Sequence, residues 1–194
     1  MNKQLSNGFR VEPISKNIYD EFRSLHEPRI FPNRFDINVR DALSAGEREA
    51  ESSLAKRLGS PYELRLGLFH GEKLIGWSYG IQVSQDTFRM VTTGIEPEYQ
   101  RKGVYSSFLI ALAQNLQEEG FQVIYSRHYA TDNQVIIPKL RFGFLISGFE
   151  LTDEYGLLLR LCYFFNETRR KTLHVRSGLQ QPDDEVQRLI RKYN

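Results

Sequence analysis

At 194 residues, 40% apolar and 26% charged, the chain has the size and balance of one ordinary globular domain with at most a small appendage, and it is not disordered. Twenty-six Lys and Arg against 24 Asp and Glu leave a formal charge of +2, far from the balance of a dedicated nucleic-acid binder. One cysteine, Cys162, excludes an internal disulfide framework and any multi-cysteine zinc or iron–sulfur site. The opening MNKQLSNGFR lacks the apolar stretch of a signal peptide, and no apolar run approaches the roughly 18 residues that span a bilayer. The expectation is a cytoplasmic protein without a membrane or nucleic-acid partner, acting on a small molecule or on another protein.

The first sixty residues read as helix and loop. Ile18 to Leu25 is semi-periodic, the two prolines of His26 to Asn33 break any helix, and Asn38 to Leu58 is too polar for a central core helix. After Gly59-Ser60-Pro61 the period becomes two. Leu64, Leu66 and Leu68 alternate, His70-Gly71 turns the chain, and Ile75, Trp77, Tyr79, Ile81 and Val83 alternate again, a hairpin with one aromatic face and Gly76, Ser78 and Gly80 on the other. Phe88 to Ile95 is a third strand. Val104 to Glu119 carries a helical stripe stopped by Gly120, and Phe121 to Arg127 is the next strand, expected parallel to Phe88–Ile95 because a helix joins them. Asp132 to Phe142 is a short helix containing Pro138. Phe144 to Leu151 and Gly156 to Tyr163 close as an antiparallel pair, and a basic cluster (Arg169, Arg170, Lys171, Arg176) precedes a short helix, Asp183 to Lys192. The pattern predicts an α/β (α+β) domain over residues 1–163, with 164–194 as a C-terminal extension.

The stretch from Ile95 to Ser107, IEPEYQRKGVYSS, takes the chain from strand into helix. Arg101 and Lys102 open that helix while Glu118 and Glu119 end it, against the helix dipole by about 0.3–1 kcal/mol per charge. A bound anion removes the conflict, because free backbone N–H groups, the dipole and two cations converge there and Gly103 permits close approach. A solvated basic turn is the alternative.

Gln100-Arg-Lys-Gly103-Val-Tyr105 resembles the acyl-CoA pyrophosphate loop of the GNAT superfamily of N-acetyltransferases, Q/R-x-x-G-x-G/A, with Tyr105 where the pattern has Gly or Ala. Asp132 to Phe144, DNQVIIPKLRFGF, is similar to the family's second signature, an Asn-led helix ending in Gly-Phe, and the order of elements matches from about Glu63 to Tyr163. No P-loop, dinucleotide fingerprint or nucleophile elbow competes, and four scattered histidines assign no metal.

The resemblance implies a mixed, splayed central sheet with helices on both faces and acetyl-CoA as acyl donor to an amine acceptor, with homodimerisation left open. It implies pyrophosphate contacts from the backbone of Arg101, Gly103, Val104 and Tyr105, flanked by Gln100, Lys102 and Ser106. Carbonyl polarisation comes from the strand around Gly94–Ile95, and Asn133 stands on the pantetheine or adenylate side. The Tyr and Glu that many members use as acid and base are absent, their registers holding Lys139 and Arg89. His128, at a strand end and titrating near neutrality, is the substitute base or a surface histidine, and Tyr105, Tyr125 and Tyr129 compete as the acid or pack as core or lid residues. Glu96 acts through water or is simply the residue before the turn proline. Trp77 and Tyr79 are core, or offer an aromatic face to a cationic or apolar amine. A non-catalytic acyl-CoA-binding module of the same fold is the second reading; nucleic-acid or ribosome contact through Arg169–Lys171 is a third, against a solvated basic face.

Overall fold

Alternation at period two produces strands where expected. In the computed structural model, which describes residues 2–5, 8–32 and 37–190, β3 (Glu63–His70), β4 (Lys73–Gln82) and β5 (Thr87–Ile95) form an antiparallel meander. A 3-10 turn over Pro97–Tyr99 leads into α3 (Val104–Glu118), which crosses to β6 (Val123–Tyr129), and β6 pairs parallel with β5. Next come α4 (Asn133–Phe142), β7 (Leu145–Thr152) and β8 (Gly156–Phe164). β8 inserts between β6 and β7, giving the last three strands the order β6-β8-β7.

The N-terminal sixty residues are not only helix and loop. β1 (Lys3–Gln4) and β2 (Phe9–Pro13) extend the sheet to eight strands in the order β1-β2-β3-β4-β5-β6-β8-β7. Five residues carry too little alternation to declare a strand. Pairing with β3 defines it, and Val11, opposite Leu68, is fully buried. Helix α1 (Lys16–Ile30), capped by Ser15, runs on through Pro28 instead of breaking before it. Pro28 falls in the last turn, where a lost backbone bond costs least, and the Phe31 N–H still reaches Glu27 O at 2.9 Å. Helix α2 (Ala45–Ala55) starts on a Ser44/Glu47 capping box and buries no residue, as its polar faces require.

The tail differs as well. The basic cluster lies on a helix, α5 (Glu167–Arg176), and α6 is only Asp184–Gln187; residues 191 and 192 of the expected helix lie outside the described residues. Arg169 binds Asp86 at 2.9 Å, and Lys171 binds Asp183 at 2.8 Å and Glu185 at 3.0 Å. Two of the basic side chains therefore clamp the tail to itself and to the turn before β5.

One sheet face carries Leu64, Leu66, Leu68, Phe88 and Ile124, which share a buried cluster with Phe108, Leu112 and Leu116 of α3 and Ile136 of α4. The opposite face takes α1: Tyr19 lies 5.6 Å from Tyr79, and Phe22 and Phe31 meet Trp77 edge-on at 6.1 and 6.2 Å. The small residues of β4 are filled by neighbours. A Cβ on Gly80 would come within 2.3 Å of the Phe88 ring and 2.7 Å of Arg89 O.

Two ladder features set up the rest. The β4–β5 register shifts between Tyr79 and Gly80, leaving Val91 as an extra residue on β5. The β5–β6 ladder stops one residue earlier, at Met90 opposite Ser126. Beyond it β5 stays with β4 as far as Ile95 and β6 with β8 as far as Tyr129, so the sheet opens between them.

Gly80→Ala should destabilise the protein by about 1–3 kcal/mol, the usual cost of overpacking, read as a lower urea midpoint with an unchanged slope.

Candidate functional site

The opening is five residues deep on the β5 side, about 17 Å at ~3.3 Å per residue. Glu96 N–H is spent on Ile75 O at 2.9 Å. Alternate bonding along an antiparallel strand therefore turns the N–H groups of Ile95 and Thr93 away from β4 and into the opening, while that of Gly94 faces β4. Gly94 has a packing role: a Cβ there would lie 2.5 Å from Trp77. At the mouth, Gln100 Nε2 donates to Ile95 O at 2.8 Å and holds the loop against the strand end.

Across the mouth stands the start of α3. Its N-cap is Gly103, left-handed at φ 77°, with no side-chain cap and no acidic residue in the first turn. The first helical bond is Ser107 N–H to Gly103 O at 3.0 Å, so the N–H groups of Val104, Tyr105 and Ser106 are the orphan donors of this terminus. Arg101 is also left-handed at φ 58°, rare for a residue with a Cβ, and such a turn directs successive N–H groups to one side. Arg101, Lys102, Gly103 and Ser106 are exposed, Lys102 Nζ lies 5.5 Å from the Tyr99 ring centre, and the space beside Gly103 is open.

At the inner end the side chains form a polar line. Lys139 of α4 is 1% exposed and donates to Ser126 Oγ at 2.6 Å and to Met90 Sδ at 3.4 Å, the two residues of the last β5–β6 rung. Ser126 Oγ also contacts His128 Nε2 at 2.9 Å, and His128 Nδ1 stands 3.9 Å from Asp132 Oδ2. The line thus runs from Asp132 at the start of α4 to the apex of the opening. Burial brings the Lys139 ammonium down to about 7, against the opposing pull of Asp132. Burial, and next the charge of Lys139, hold His128 neutral down to about 2. Burial raises the Asp132 carboxyl, and burial followed by the Asp132 charge raises the Tyr105 phenol, which keeps its proton.

These elements in this order are shared with solved acetyltransferases. The ribosomal-protein-S5-alanine acetyltransferase from Vibrio fischeri matches with a TM-score of 0.63 at 9% identity, over 86% of this chain and 98% of that one. A putative acetyltransferase from Salmonella typhimurium, solved with its cofactor acetyl-CoA, matches at 0.59 and 13% over 83% and 96%. A variant of the spermidine N-acetyltransferase from Vibrio cholerae matches at 0.59 and 15% over 89% and 99%. The fold is that of the GNAT acetyltransferases. No protein-family model and no curated sequence matches the chain.

Within the GNAT fold, Gln100 to Ser106 stand together at the mouth, and Asn133 is exposed at the first turn of α4. β6 runs on to Tyr129, which puts His128 on the face of Ile124 and Ser126 beside Lys139. An imidazole neutral to about pH 2 has little affinity for an ammonium proton, which weighs against the base role expected of His128. Tyr105 is half-buried on the first turn of α3, Tyr125 faces the other side of the sheet beneath Arg160, and Tyr129 is exposed. Trp77 is fully buried and the Tyr79 ring carries Arg65 at 4.9 Å, so both aromatic faces are occupied from within the protein. Glu96 is 2% exposed and held by Lys73 at 2.7 Å and His26 Nδ1 at 3.1 Å; it anchors α1 and β4 to the strand end. Arg29 of α1 pairs with Glu98 in the next turn. Sequence spacing gives no sign of this anchor, because its members come from three separate elements. Among the described residues no group of three or more His, Cys, Asp or Glu is placed to hold a metal.

Lys139 ties stability to pH. Its folded value near 7 lies below the ordinary 10.5, so the unfolded chain binds the extra proton between them and stability rises with pH across that window, by at most about 1.4 kcal/mol per unit. Urea unfolding from pH 7 to 9.5 should show this climb in the wild type, and Lys139→Met should flatten it.

Proposed function

We propose that the chain is an N-acyltransferase that moves an acetyl group from acetyl-CoA to an amine. The observation that carries this reading is the opening between β5 and β6, which leads from the uncapped start of α3 at its mouth to Lys139 at its apex. Its depth of about 17 Å suits an extended pantetheine arm. The solved neighbours support the donor, since one of them was determined with acetyl-CoA.

In this reading the orphan N–H groups of Val104, Tyr105 and Ser106, with those of Arg101 and Gly103, receive the pyrophosphate. The dipole of α3 adds to them, and Gln100 and Lys102 flank the loop. Asn133 lines the α4 side. The N–H groups of Ile95 and Thr93, which the strand's alternation turns into the opening, hydrogen-bond the pantetheine arm on its way in; the carbonyl polarisation expected around Gly94–Ile95 becomes a role in holding that arm, because the apex where Lys139 meets the sulfur lies three to five residues deeper. The amine nitrogen attacks the carbonyl carbon, a C–N bond forms and the C–S bond breaks. The amine proton leaves to water, and the departing thiolate takes a proton from the apex. Lys139, titrating near neutrality, supplies that proton and is reprotonated through Ser126 and His128; Tyr105 is a second donor.

The non-catalytic alternative draws on the same two side chains, Lys139 and Arg89, where many GNAT enzymes carry a Tyr and a Glu. Turnover on any amine rules it out.

Calorimetric titration should show acetyl-CoA binding, and Gly103→Asp should abolish it. A Cβ there meets no steric obstacle, and the left-handed φ costs an Asp about 1–2 kcal/mol, partly offset by its charge on the helix dipole, so the variant should stay folded with a midpoint slightly below the wild type while binding no acetyl-CoA. No affinity for any CoA thioester in the wild type overturns the proposal. With turnover established, kcat/KM should show a pH limb near 7 that persists in His128→Gln and disappears in Lys139→Met.

A further inference from the structure

We propose that the acceptor is a small amine bearing an anionic group, a carboxylate or a phosphate, held by Arg89 on the sheet face opposite Lys139. This rests on the acyltransferase reading and adds the substrate class.

Arg89 stands on β5 opposite Tyr125, one rung from the apex, and its neighbours in register put Ile81, Tyr125, Arg127 and Arg160 on its side of the sheet. Among the described residues five guanidinium groups on strands occupy this face, and four are provided for: Arg10 pairs with Glu12 and lies over Phe69 at 4.4 Å. Arg65 pairs with Glu63 and stacks on Tyr79, Arg127 binds Glu150 at 2.6 Å, and Arg160 lies over Tyr125 at 4.5 Å. Among the described residues Arg89 has no carboxylate in ion-pair distance, no hydrogen-bond acceptor and no ring beneath it, although it is half-buried. Burial, and after it the charge of Arg127, push its pKa below the usual arginine range, so the cation is held at a cost that an anion would offset.

Arg89 keeps partial exposure, with Glu150 and Tyr155 close enough to act on its charge without pairing to it. The aromatic side chains of α1 cover Trp77 and Tyr79, and α2 buries no residue. A guanidinium fork pairs with a carboxylate or phosphate through two parallel hydrogen bonds, which orients as well as binds. An amine anchored this way one rung from the apex has its nitrogen beside the thioester end of the opening. Arg89 and Arg127 also favour the neutral amine over its ammonium, and the neutral form is the nucleophile. A polycation, in contrast, meets like charge here, and the aromatic rings that would bind it already carry Arg65 and Arg160.

The test is thiol release from acetyl-CoA with glutamate, aspartate, β-alanine and O-phosphoethanolamine, set against ethanolamine, propylamine and spermidine. Turnover confined to the anionic amines is expected, with the carboxylate and phosphate arms identifying the group. Arg89→Met should lower kcat/KM for those amines by about 10–100-fold and Arg89→Lys by less, with acetyl-CoA affinity and the thermal midpoint near wild type. Preference for neutral or polycationic amines, or unchanged turnover in Arg89→Met, overturns the inference and leaves the acyltransferase reading intact. If acetyl-CoA binds but no amine is turned over, glutamate and O-phosphoethanolamine are titrated calorimetrically into the CoA complex of wild type and Arg89→Met, and binding independent of Arg89 overturns it. Failure of acetyl-CoA to bind at all removes the acyltransferase reading and this inference with it.

Discussion

The site depends on a ladder that ends early. Met90 and Ser126 are the last paired residues of β5 and β6, and Val91, the extra residue on β5, follows at once. A bulge raises local twist and ends pairing on one side of a strand without loosening the other. Here β5 remains bonded to β4 as far as Ile95 and β6 to β8 as far as Tyr129. Each wall of the opening is therefore rigid, and the N–H groups of Thr93 and Ile95 are left facing it. Buried backbone groups rarely stay unpaired, so a cleft of this kind is a place for a ligand with its own polar chain.

Charge is arranged around the same apex from both sides of the sheet. Lys139 lies on the face of α3 and α4 with a hydroxyl and a thioether as partners, and Arg89 on the opposite face with no described partner. A buried cation is ordinarily matched by a carboxylate. Among the described residues neither has a carboxylate in ion-pair distance, and Asp132, whose charge acts on Lys139, is reached through Ser126 and His128. Cations without a carboxylate partner in a low-dielectric setting act strongly on any negative charge that comes between them.

The mouth is held by a different device. Glu96, the residue after β5, is buried between Lys73 and His26, and Arg29 reaches Glu98 in the following turn. These contacts fix the end of β5, the hairpin start at Lys73 and helix α1 relative to one another, which positions the loop that carries Gly103. His26 is itself stacked on Phe22 at 4.1 Å, and Phe22 packs on Trp77, so the polar anchor is continuous with the aromatic layer under α1.

The elements from Glu63 to Phe164 and the loop before α3 were legible in the amino-acid pattern. Period two in Leu64–Leu68 and Ile75–Ile81, the helical stripe from Val104, and Gly103 after two cations are local signals readable within a few residues. It did not show β2, whose five residues become a strand only by pairing with β3, nor α1 continuing through Pro28, which the last-turn position makes tolerable. Which side chains meet depends on contacts distant in the chain. Lys139 finds Ser126 13 residues away and Met90 49 residues away, and Glu96 finds Lys73 across 23. Arg89 stands out because its arginine neighbours on the same face have partners and, among the described residues, it has no ion pair or hydrogen bond. Such facts are properties of strand register and burial, and a one-residue slip of β5 or β6 would have moved Met90 and Arg89, or Ser126, to the other face.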